Sequence, residues 1–282
     1  MIIFCYDGIL NSFRRGIDLI MSVIAICCSK GGVGKTFTTL SLAVEFAFLS
    51  DKKKRILIID SDPSRNATIA IVKNLASIKY TLLDVFKDKN FDIKKAIYEG
   101  TAEFPSVSVL ASHEQLTEIE SLLSQRKNQE TILKRAIGSL NYDVILIDTP
   151  PNNGILTQNA LAACDAFLVP VDHDRNAIDG FFSAVNSVED LCQEGSIDKK
   201  PVCLGAVFTK VEENTAITKL MDKTADKEMH GHVVPVRIPK SIHTREAVFY
   251  ATTIQFQRSH PVCKAYNKLT TYIIKKLNMK GF

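Results

Sequence analysis

The feature that most limits how this chain can fold is the glycine-rich segment 29–36, Ser-Lys-Gly-Gly-Val-Gly-Lys-Thr. It follows an apolar run, residues 23–28, and precedes a helix-like run, residues 37–49. Glycines let the backbone turn tightly, so that successive N–H groups point at one anion, and the positive end of the following helix dipole adds to the attraction. The segment therefore predicts a strand, a phosphate-binding loop and a helix, in that order.

Two lysines and a threonine in this segment are the first candidate site residues. Lys35 is placed to reach the β- and γ-phosphates of a nucleotide, and the Thr36 hydroxyl is placed to bind Mg²⁺. The usual loop pattern has a glycine where this chain has Ser29, and this chain has instead a second lysine, Lys30, at the start of the loop. The predicted nucleotide contacts of the segment are Lys30, Gly31, Gly32, Val33, Gly34, Lys35, Thr36 and Phe37.

Acidic residues follow two later apolar runs that have the composition of buried strands. Residues 55–63 contain Asp60 and Asp62, and residues 142–151 contain Asp148. In open α/β sheets the ligand binds at the carboxyl ends of the strands, which is where both acidic ends fall. Asp148 is therefore predicted to be the second carboxylate on the Mg²⁺ side of the site.

Five segments occur together in an order and spacing that a known family shares. They are Lys-Gly-Gly-Val-Gly-Lys-Thr at 30–36, Asp-x-Asp-Pro-x-x-Asn-Ala-Thr at 60–68, Ile-Asp-Thr-Pro-Pro at 147–151, the run 161–170 ending in Val-Pro, and Ile-Pro-Lys at 238–240. The chain resembles the deviant-Walker ATPases of the ParA/MinD family, and specifically the ParA (Soj-like) partition ATPases, over roughly residues 22–278. The resemblance implies ATP and Mg²⁺ as cofactors.

The resemblance also implies a role for each charged residue of the site. Lys30 is the signature lysine, which reaches across a nucleotide-sandwich dimer to the phosphates bound by the partner. Lys35 keeps its role in the loop, and Asp62 positions and activates the attacking water, which makes these three residues the catalytic candidates. Asp148 is the Walker B carboxylate, and Asp60 supports Mg²⁺ through the water shell of the ion, so that both join Thr36 as metal-site candidates.

Adenine contacts are implied at residues 208–211, which include Thr209 and Lys210, and at Pro239, and a few positions depart from the family pattern. The family usually has Pro-Gln-Gly-Asn after the paired aspartates, whereas this chain has Ser64 and Arg65 in place of the Gln-Gly. A threonine usually follows the loop threonine, and here the residue is Phe37. Phosphate contacts are mostly made by the backbone and should survive these changes, so a difference is expected in water positioning and in dimer contacts.

The alternation of strand-like and helix-like segments predicts a doubly wound, mostly parallel α/β sheet with helices on both faces. A chain of 282 residues can bury one large core, and we interpret residues 22–282 as a single P-loop ATPase domain. Residues 1–21 are interpreted as a short N-terminal extension or as a wrongly assigned translation start. Residues 67–99 are expected to form short helical segments with insertions.

Positive charge is concentrated near the C-terminus. Residues 236–282 contain nine lysines and arginines and one acid, Glu246, for a net charge of +8, so the rest of the chain carries −4 of the total of +4. A basic surface of this kind suits a polyanion, either DNA or an anionic membrane. The candidate DNA-binding residues are Arg237, Lys240, Arg245, Lys264, Lys268, Lys275 and Lys276.

The function implied by the resemblance is a slow ATP hydrolase that works as a switch. ATP drives formation of a homodimer, the dimer binds DNA without sequence preference, and a ParB-like or other partner protein stimulates hydrolysis. Such a switch partitions plasmid or chromosomal DNA, in the cytoplasm and in association with the nucleoid or the plasmid. Seven cysteines without disulfide or metal-ligand spacing agree with reduced thiols in that compartment.

The alternative function is that of a MinD-like ATPase, which binds membrane to position the division site or a protein cargo. Residues 272–282 interleave basic and apolar side chains, as an interfacial helix requires. The same apolar positions also suit a terminal helix that packs on the sheet, and this second interpretation is favoured.

Overall fold

The computed structural model describes residues 21–100, 106–123, 128–174, 176–212, 216–241 and 258–282. The predicted N-terminal extension, apart from Met21, and the candidate DNA-binding residue Arg245 lie outside these residues. The strands are β1 (Ser22–Ile26), β2 (Ile56–Asp60), β3 (Ile97–Glu99), β4 (Val107–Leu110), β5 (Val144–Asp148), β6 (Ala166–Asp172), β7 (Val202–Val211) and β8 (Val233–Pro239).

These strands form one sheet in the order β3-β4-β2-β5-β1-β6-β7-β8. Every neighbouring pair is parallel except β3 with β4, which is antiparallel. The central strands β1, β2 and β5 are buried at every position, as is usual for parallel strands that helices cover on both faces. The predicted doubly wound, mostly parallel α/β fold is confirmed.

Helices lie on both faces of this sheet. α1 and α9 share one buried cluster, which contains Phe46 and Tyr266. α6 and α7 share the cluster on the other face, which contains Leu161 and Phe181. The helices are α1 (Lys35–Leu49), α2 (Asn66–Ile71), α3 (Leu82–Lys87), α4 (Ile119–Leu123), α5 (Ile132–Ile137), α6 (Ile155–Ala163), α7 (Ala177–Gln193), α8 (Ala216–Glu228) and α9 (Pro261–Leu277).

The prediction of short helical segments with insertions over residues 67–99 is wrong at the end of that range. The segment contains α2 and α3, but it ends in the edge strand β3. The Tyr98 hydroxyl in this strand accepts hydrogen bonds from the backbone N–H groups of Lys79 and Tyr80 at 2.9 and 3.1 Å. A strand of three residues is too short to display a period of two, so its structure depends on the non-local pairing with β4.

The last helix, α9, packs its apolar side onto the sheet and onto α1. Ile273 and Leu277 are buried, and the ring of Phe282 packs edge-on against Phe46 with 5.4 Å between ring centroids. The apolar residues that the alternative function would place in a membrane therefore belong to the protein core. In the described part of the chain, no helix combines the length and the apolar character needed to cross a membrane.

A buried ion pair joins α1 to the segment that precedes α9. The Glu45 side chain has no solvent exposure, and its carboxylate accepts hydrogen bonds from both terminal nitrogens of Arg258. Asn267 Nδ2 donates to the same carboxylate at 3.0 Å. The guanidinium of Arg258 also lies over the ring of Phe48, 3.8 Å from its centroid. Because Glu45 is buried, its charge is tolerated only through these donors.

Replacing Arg258 with alanine leaves the Glu45 carboxylate buried without its cationic partner. We expect Arg258→Ala to lower the free energy of unfolding by about 2–3 kcal/mol, because breaking a buried pair strands a charge. Urea denaturation followed by circular dichroism measures this change. Lys264→Ala, an exposed position on α9, is the control and should change stability by less than about 0.5 kcal/mol. Equal stabilities for the two variants would contradict the role of the pair.

Candidate nucleotide site

The predicted phosphate-binding loop joins β1 to α1. Gly32 and Gly34 have φ angles of +77° and +86°, a conformation that residues with a Cβ adopt only with strain. Gly34 is the N-cap of α1, whose first residue is Lys35. The first N–H groups of a helix have no partner within the helix, so they face the loop and are available to an anion.

Two residues near the end of β7 contact this loop and hold it in place. The Thr209 hydroxyl lies 2.9 Å from the carbonyl oxygen of Val33 and 3.2 Å from that of Val171. The Lys210 ammonium donates to the carbonyl oxygen of Gly32 and lies 3.0 Å from Asp172 Oδ1. The structure thus places Thr209, a predicted adenine contact, against the backbone of the phosphate loop.

Lys35 points back into the loop that precedes it. Its Nζ donates hydrogen bonds to the carbonyl oxygens of Cys28 at 3.0 Å and of Lys30 at 3.1 Å. The side chain is nearly buried, and this burial lowers the pKa of the Lys35 ammonium, while the charges of Asp148 and Asp62 act in the opposite direction. The loop carbonyls therefore hold the ammonium at the position where the motif requires it.

Asp60 and Asp148 are neighbours at the carboxyl ends of β2 and β5. They are partners in the strand register, and neither is exposed to solvent. Asp60 Oδ2 accepts hydrogen bonds from the N–H and the hydroxyl of Thr68 at 2.8 and 2.7 Å. Burial raises the pKa of Asp60 to about 7, although the Thr68 hydrogen bonds lower it.

Asp148 has the properties expected of a metal ligand. Burial raises the pKa of Asp148 well above its ordinary value, and the nearby Asp60 raises it further, while the Thr36 hydroxyl lowers it. Thr39 Oγ1 lies 3.4 Å from Oδ1, whereas the buried Oδ2 has no hydrogen-bond partner among the described residues. Carboxylate and hydroxyl oxygens are the ligands that Mg²⁺ prefers. The oxygens of Asp148, Asp60 and Thr36 therefore fit a magnesium site beside the phosphate loop.

Asp62 lies in the turn that follows β2. Its Oδ1 accepts a hydrogen bond from the N–H of Ser64 at 2.8 Å, and its carbonyl oxygen accepts one from the Ser112 hydroxyl at 2.6 Å. Arg65, one of the departures from the family pattern, forms an ion pair with Glu114 on the side of β4. The turn is therefore tied to the end of β4, which holds Asp62 at the same edge of the sheet as Asp60.

The side chain of Lys30 has different neighbours from that of Lys35. Its ammonium forms an ion pair with Asp174 and lies 3.4 Å from Asp172 Oδ2, and about a third of its side chain is exposed. The hydrogen bond with Asp174 raises the pKa of Lys30, although partial burial lowers it. The two lysines of the loop thus have separate surroundings: Lys35 is enclosed by its own loop, and Lys30 lies on the surface between carboxylates.

A cavity of about 550 Å³ opens beyond the ends of β7 and β8. Pro239, the second predicted adenine contact, is among its lining residues, together with Val211 and His260. Phe37, the last of the predicted nucleotide contacts of the loop segment, packs its ring edge-on against Tyr266 at 5.7 Å. The structure therefore places Pro239 at an open cavity, and Phe37 and Thr209 against protein.

The candidate DNA-binding residues fall into two groups. Lys264, Lys268 and Lys275 are exposed and lie on one side of α9, since their spacings of four and eleven residues correspond to nearly whole helical turns. Three others have polar partners within the protein, and two of these, Arg237 and Lys240, are also exposed. Arg237 pairs with Asp222 at 2.8 Å, Lys240 pairs with Glu212, and Lys276 donates to the carbonyl oxygen of Leu204 and the hydroxyl of Tyr272 at 3.0 and 2.9 Å.

Several contacts around the loop were not identified from the sequence. Asp172 and Asp174 pair with Lys30, and Lys210 supports Gly32. The signal for the two aspartates was their position directly after an apolar strand, which puts them at the same edge of the sheet as Asp148. No comparable signal exists for Lys210, whose contact with Gly32 joins positions far apart in the sequence.

A family model described as an AAA domain matches residues 21–199 of this chain. The protein Soj of Bacillus subtilis, named a sporulation initiation inhibitor, is 31% identical over 227 residues, which are 80% of this chain and 87% of Soj. This chain belongs to the ParA/Soj family. ParA of Caulobacter vibrioides, named a chromosome partitioning protein, is 26% identical over 261 residues, or 91% of this chain and 95% of that protein. The resemblance inferred from the five segments is confirmed.

The fold of this ParA/Soj family member also occurs among solved structures. The crystal structure of a cobyrinic acid a,c-diamide synthase from Mycobacterium smegmatis, with bound ATP analogue and magnesium, matches with a TM-score of 0.77. The match covers 92% of this chain and 96% of the other at 22% identity. At this identity the likeness concerns the fold, and it agrees with the P-loop arrangement built above from individual residues.

The buried charge of Asp148 should destabilise the protein in the absence of nucleotide and magnesium. When the pKa of a carboxyl group is higher in the folded than in the unfolded protein, ionisation destabilises the fold. The protein then loses stability as the pH rises from the unfolded-state pKa, near 4, towards the folded-state pKa. We therefore expect Asp148→Asn to be more stable than the wild type, by about 1–3 kcal/mol at pH 7.5 and by less at pH 4.5. Urea denaturation at the two pH values tests this, and a stability difference that does not grow with pH would contradict it.

Proposed function

We propose that this protein is an ATP hydrolase that acts as an ATP-dependent dimerising switch in DNA partition. ATP and Mg²⁺ are its cofactors. The observation that carries the proposal is the convergence of Lys35, Asp60, Asp62 and Asp148 at one edge of the sheet, beside the glycine loop, with Lys30 on the adjoining surface. Membership of the ParA/Soj family supports the same conclusion.

Each residue of the site has a defined task in this proposal. The loop N–H groups and Lys35 bind the β- and γ-phosphates, and Thr36 with Asp148 holds the metal. The magnesium ion neutralises charge on the phosphates. Asp62, fixed by Ser112, orients the attacking water. Dissociative phosphoryl transfer needs mainly positioning and charge stabilisation, and these residues supply both.

Lys30 links hydrolysis to dimerisation. Its ammonium lies outside its own loop and on the surface, so it is accessible to a second subunit once it leaves Asp174. In the dimer, Lys30 of each subunit completes the phosphate site of the other. Dimerisation therefore requires bound triphosphate, since the phosphates supply the negative charge that draws Lys30 away from the two aspartates.

DNA is the cargo that we propose for the dimer. Lys264, Lys268 and Lys275 present three positive charges on the exposed side of α9, and the phosphate backbone is their natural partner. A ParB-like or other activating protein triggers hydrolysis and release, and the protein works in the cytoplasm on nucleoid or plasmid DNA. The membrane alternative has less support, because the apolar side chains of α9, including Ile273 and Leu277, are buried in the core.

Replacing Lys30 tests the switch. We expect Lys30→Ala to bind ATP with little loss, because Lys35 and the loop backbone remain, but to lose ATP-dependent dimerisation and ATP-dependent DNA binding. Light scattering reports the dimer, and fluorescence anisotropy of a labelled duplex reports DNA binding. Lys223→Ala, another exposed lysine, is the control and should behave like the wild type. Intact ATP-dependent dimerisation in Lys30→Ala would overturn the proposed role.

Removing the three exposed charges of α9 tests the DNA surface. In the triple variant Lys264→Gln, Lys268→Gln and Lys275→Gln, we expect ATP-dependent dimerisation to persist and the ATP-dependent affinity for a duplex to fall. The slope of log affinity against log salt should decrease by about three, one for each lost phosphate contact. A wild-type protein that dimerises with ATP and yet gains no affinity for DNA would move the proposal towards membrane or protein cargo.

A further inference from the structure

A basic groove lies at the amino ends of β2, β4 and β5, on the edge of the sheet opposite the nucleotide site. The register places Ile56, Val107 and Val144 side by side at this edge. Two adjoining cavities of about 400 and 310 Å³ share part of their lining. We call them together the amino-edge groove, and the lining residues that matter are Lys52, Lys54, Arg55, Lys94, Ser108 and Tyr142.

Among the described residues, the lining of the groove carries more positive than negative charge. Lys52, Arg55 and Lys94 are exposed, and none of the three forms an ion pair with another described residue. Lys54 pairs with Asp143 at 3.0 Å, and Glu99 is the acidic residue among the described residues that line the two cavities. Such an excess of cations in a concave surface raises the local concentration of anions.

Hydrogen bonds hold the backbone of the segment that carries Lys52 and Arg55. The N–H of Arg55 donates to Asp143 Oδ2 at 2.8 Å, and its carbonyl oxygen accepts from the N–H of Asp143 at 2.9 Å. The guanidinium lies over the ring of Tyr142, 4.8 Å from the centroid. The hydroxyl of Ser106 holds the turn through the carbonyl oxygen of Lys52 at 3.1 Å. A stacked guanidinium keeps its planar edge of N–H donors free for phosphate oxygens.

We propose that the amino-edge groove binds the phosphodiester backbone of DNA independently of nucleotide. Its cations are spread along an exposed edge rather than gathered around one buried point, which suits a ligand that carries repeated charges and stays largely solvated. The hydroxyls of Ser108 and Tyr142 add neutral donors of the kind that contact DNA phosphates. This site goes beyond the proposed switch, because it lies away from Lys30 and from the phosphate loop.

The groove also borders the helix that carries the other DNA candidates. Lys54 reaches over the ring of Phe282, with its Nζ 5.7 Å from the centroid, so the segment after α9 runs beside the groove. Lys275 is exposed near the end of α9. A DNA backbone held by α9 in the ATP-bound dimer therefore has a second basic surface next to it, and this surface is present in each subunit without ATP.

The test uses the full chain and a fluorescently labelled DNA duplex of random sequence, in the absence of nucleotide. We expect salt-sensitive binding by the wild type. Arg55→Gln/Lys94→Gln should bind about tenfold more weakly, and its slope of log affinity against log salt should fall by about two. The control Lys223→Gln/Lys227→Gln removes two exposed charges from α8 and should match the wild type. Circular dichroism checks folding.

Two results would overturn this proposal. One is the absence of duplex binding without nucleotide, and the other is an Arg55→Gln/Lys94→Gln variant whose salt slope matches that of the control. If that variant does not fold, Lys52→Gln/Lys94→Gln removes two exposed charges without touching the stack on Tyr142, and the same decrease of slope is expected. Lys30→Ala separates this proposal from the switch: it should keep the nucleotide-free binding and lose only the gain that ATP produces.

Discussion

Two carboxylates, Asp60 and Asp148, lie side by side at the ends of β2 and β5 without exposure to solvent. Burial raises the pKa of both groups, and the charge of Asp60 raises that of Asp148 further, so their charged forms need cations close by. The arrangement of the site follows from this need. Lys35 is directed into the loop next to them, Thr68 donates two hydrogen bonds to Asp60, and one oxygen of Asp148 remains open to a metal ion.

The parallel sheet is what gathers these groups. In parallel strands all carboxyl ends fall on one edge, so residues that follow β1, β2, β5 and β6 meet there, although as many as 144 positions separate them in the chain, as between Lys30 and Asp174. The same edge then receives both signs of charge. Lys30 and Lys210 meet Asp172 and Asp174 on the surface of the loop, while Lys35 faces Asp148 inside.

The opposite edge of the sheet has a different character. Among the described residues, the amino ends of β2, β4 and β5 carry no buried carboxylate pair, and the turn around Lys52 and Arg55 adds positive charge to them. One edge is therefore suited to a triphosphate with its metal, and the other to a solvated chain of phosphates. The two sides of α9 differ in the same way: its apolar side belongs to the core, and its exposed lysines face solvent.

The sequence by itself determined the phosphate loop, the edge of the sheet at which the acidic residues gather, and the class of fold. Glycine spacing and the acidic ends of apolar runs are local signals, and Gly32, Gly34, Lys35, Asp60 and Asp148 carry them. Only the tertiary structure decided which cations are already engaged. Arg237, Lys240 and Lys276 have polar partners, and Lys264, Lys268 and Lys275 face solvent on one side of α9. It also decided that β3 is a strand, that Thr209 supports the loop, and that Arg55 stacks on Tyr142. These outcomes depend on contacts between distant segments, which composition and periodicity do not encode.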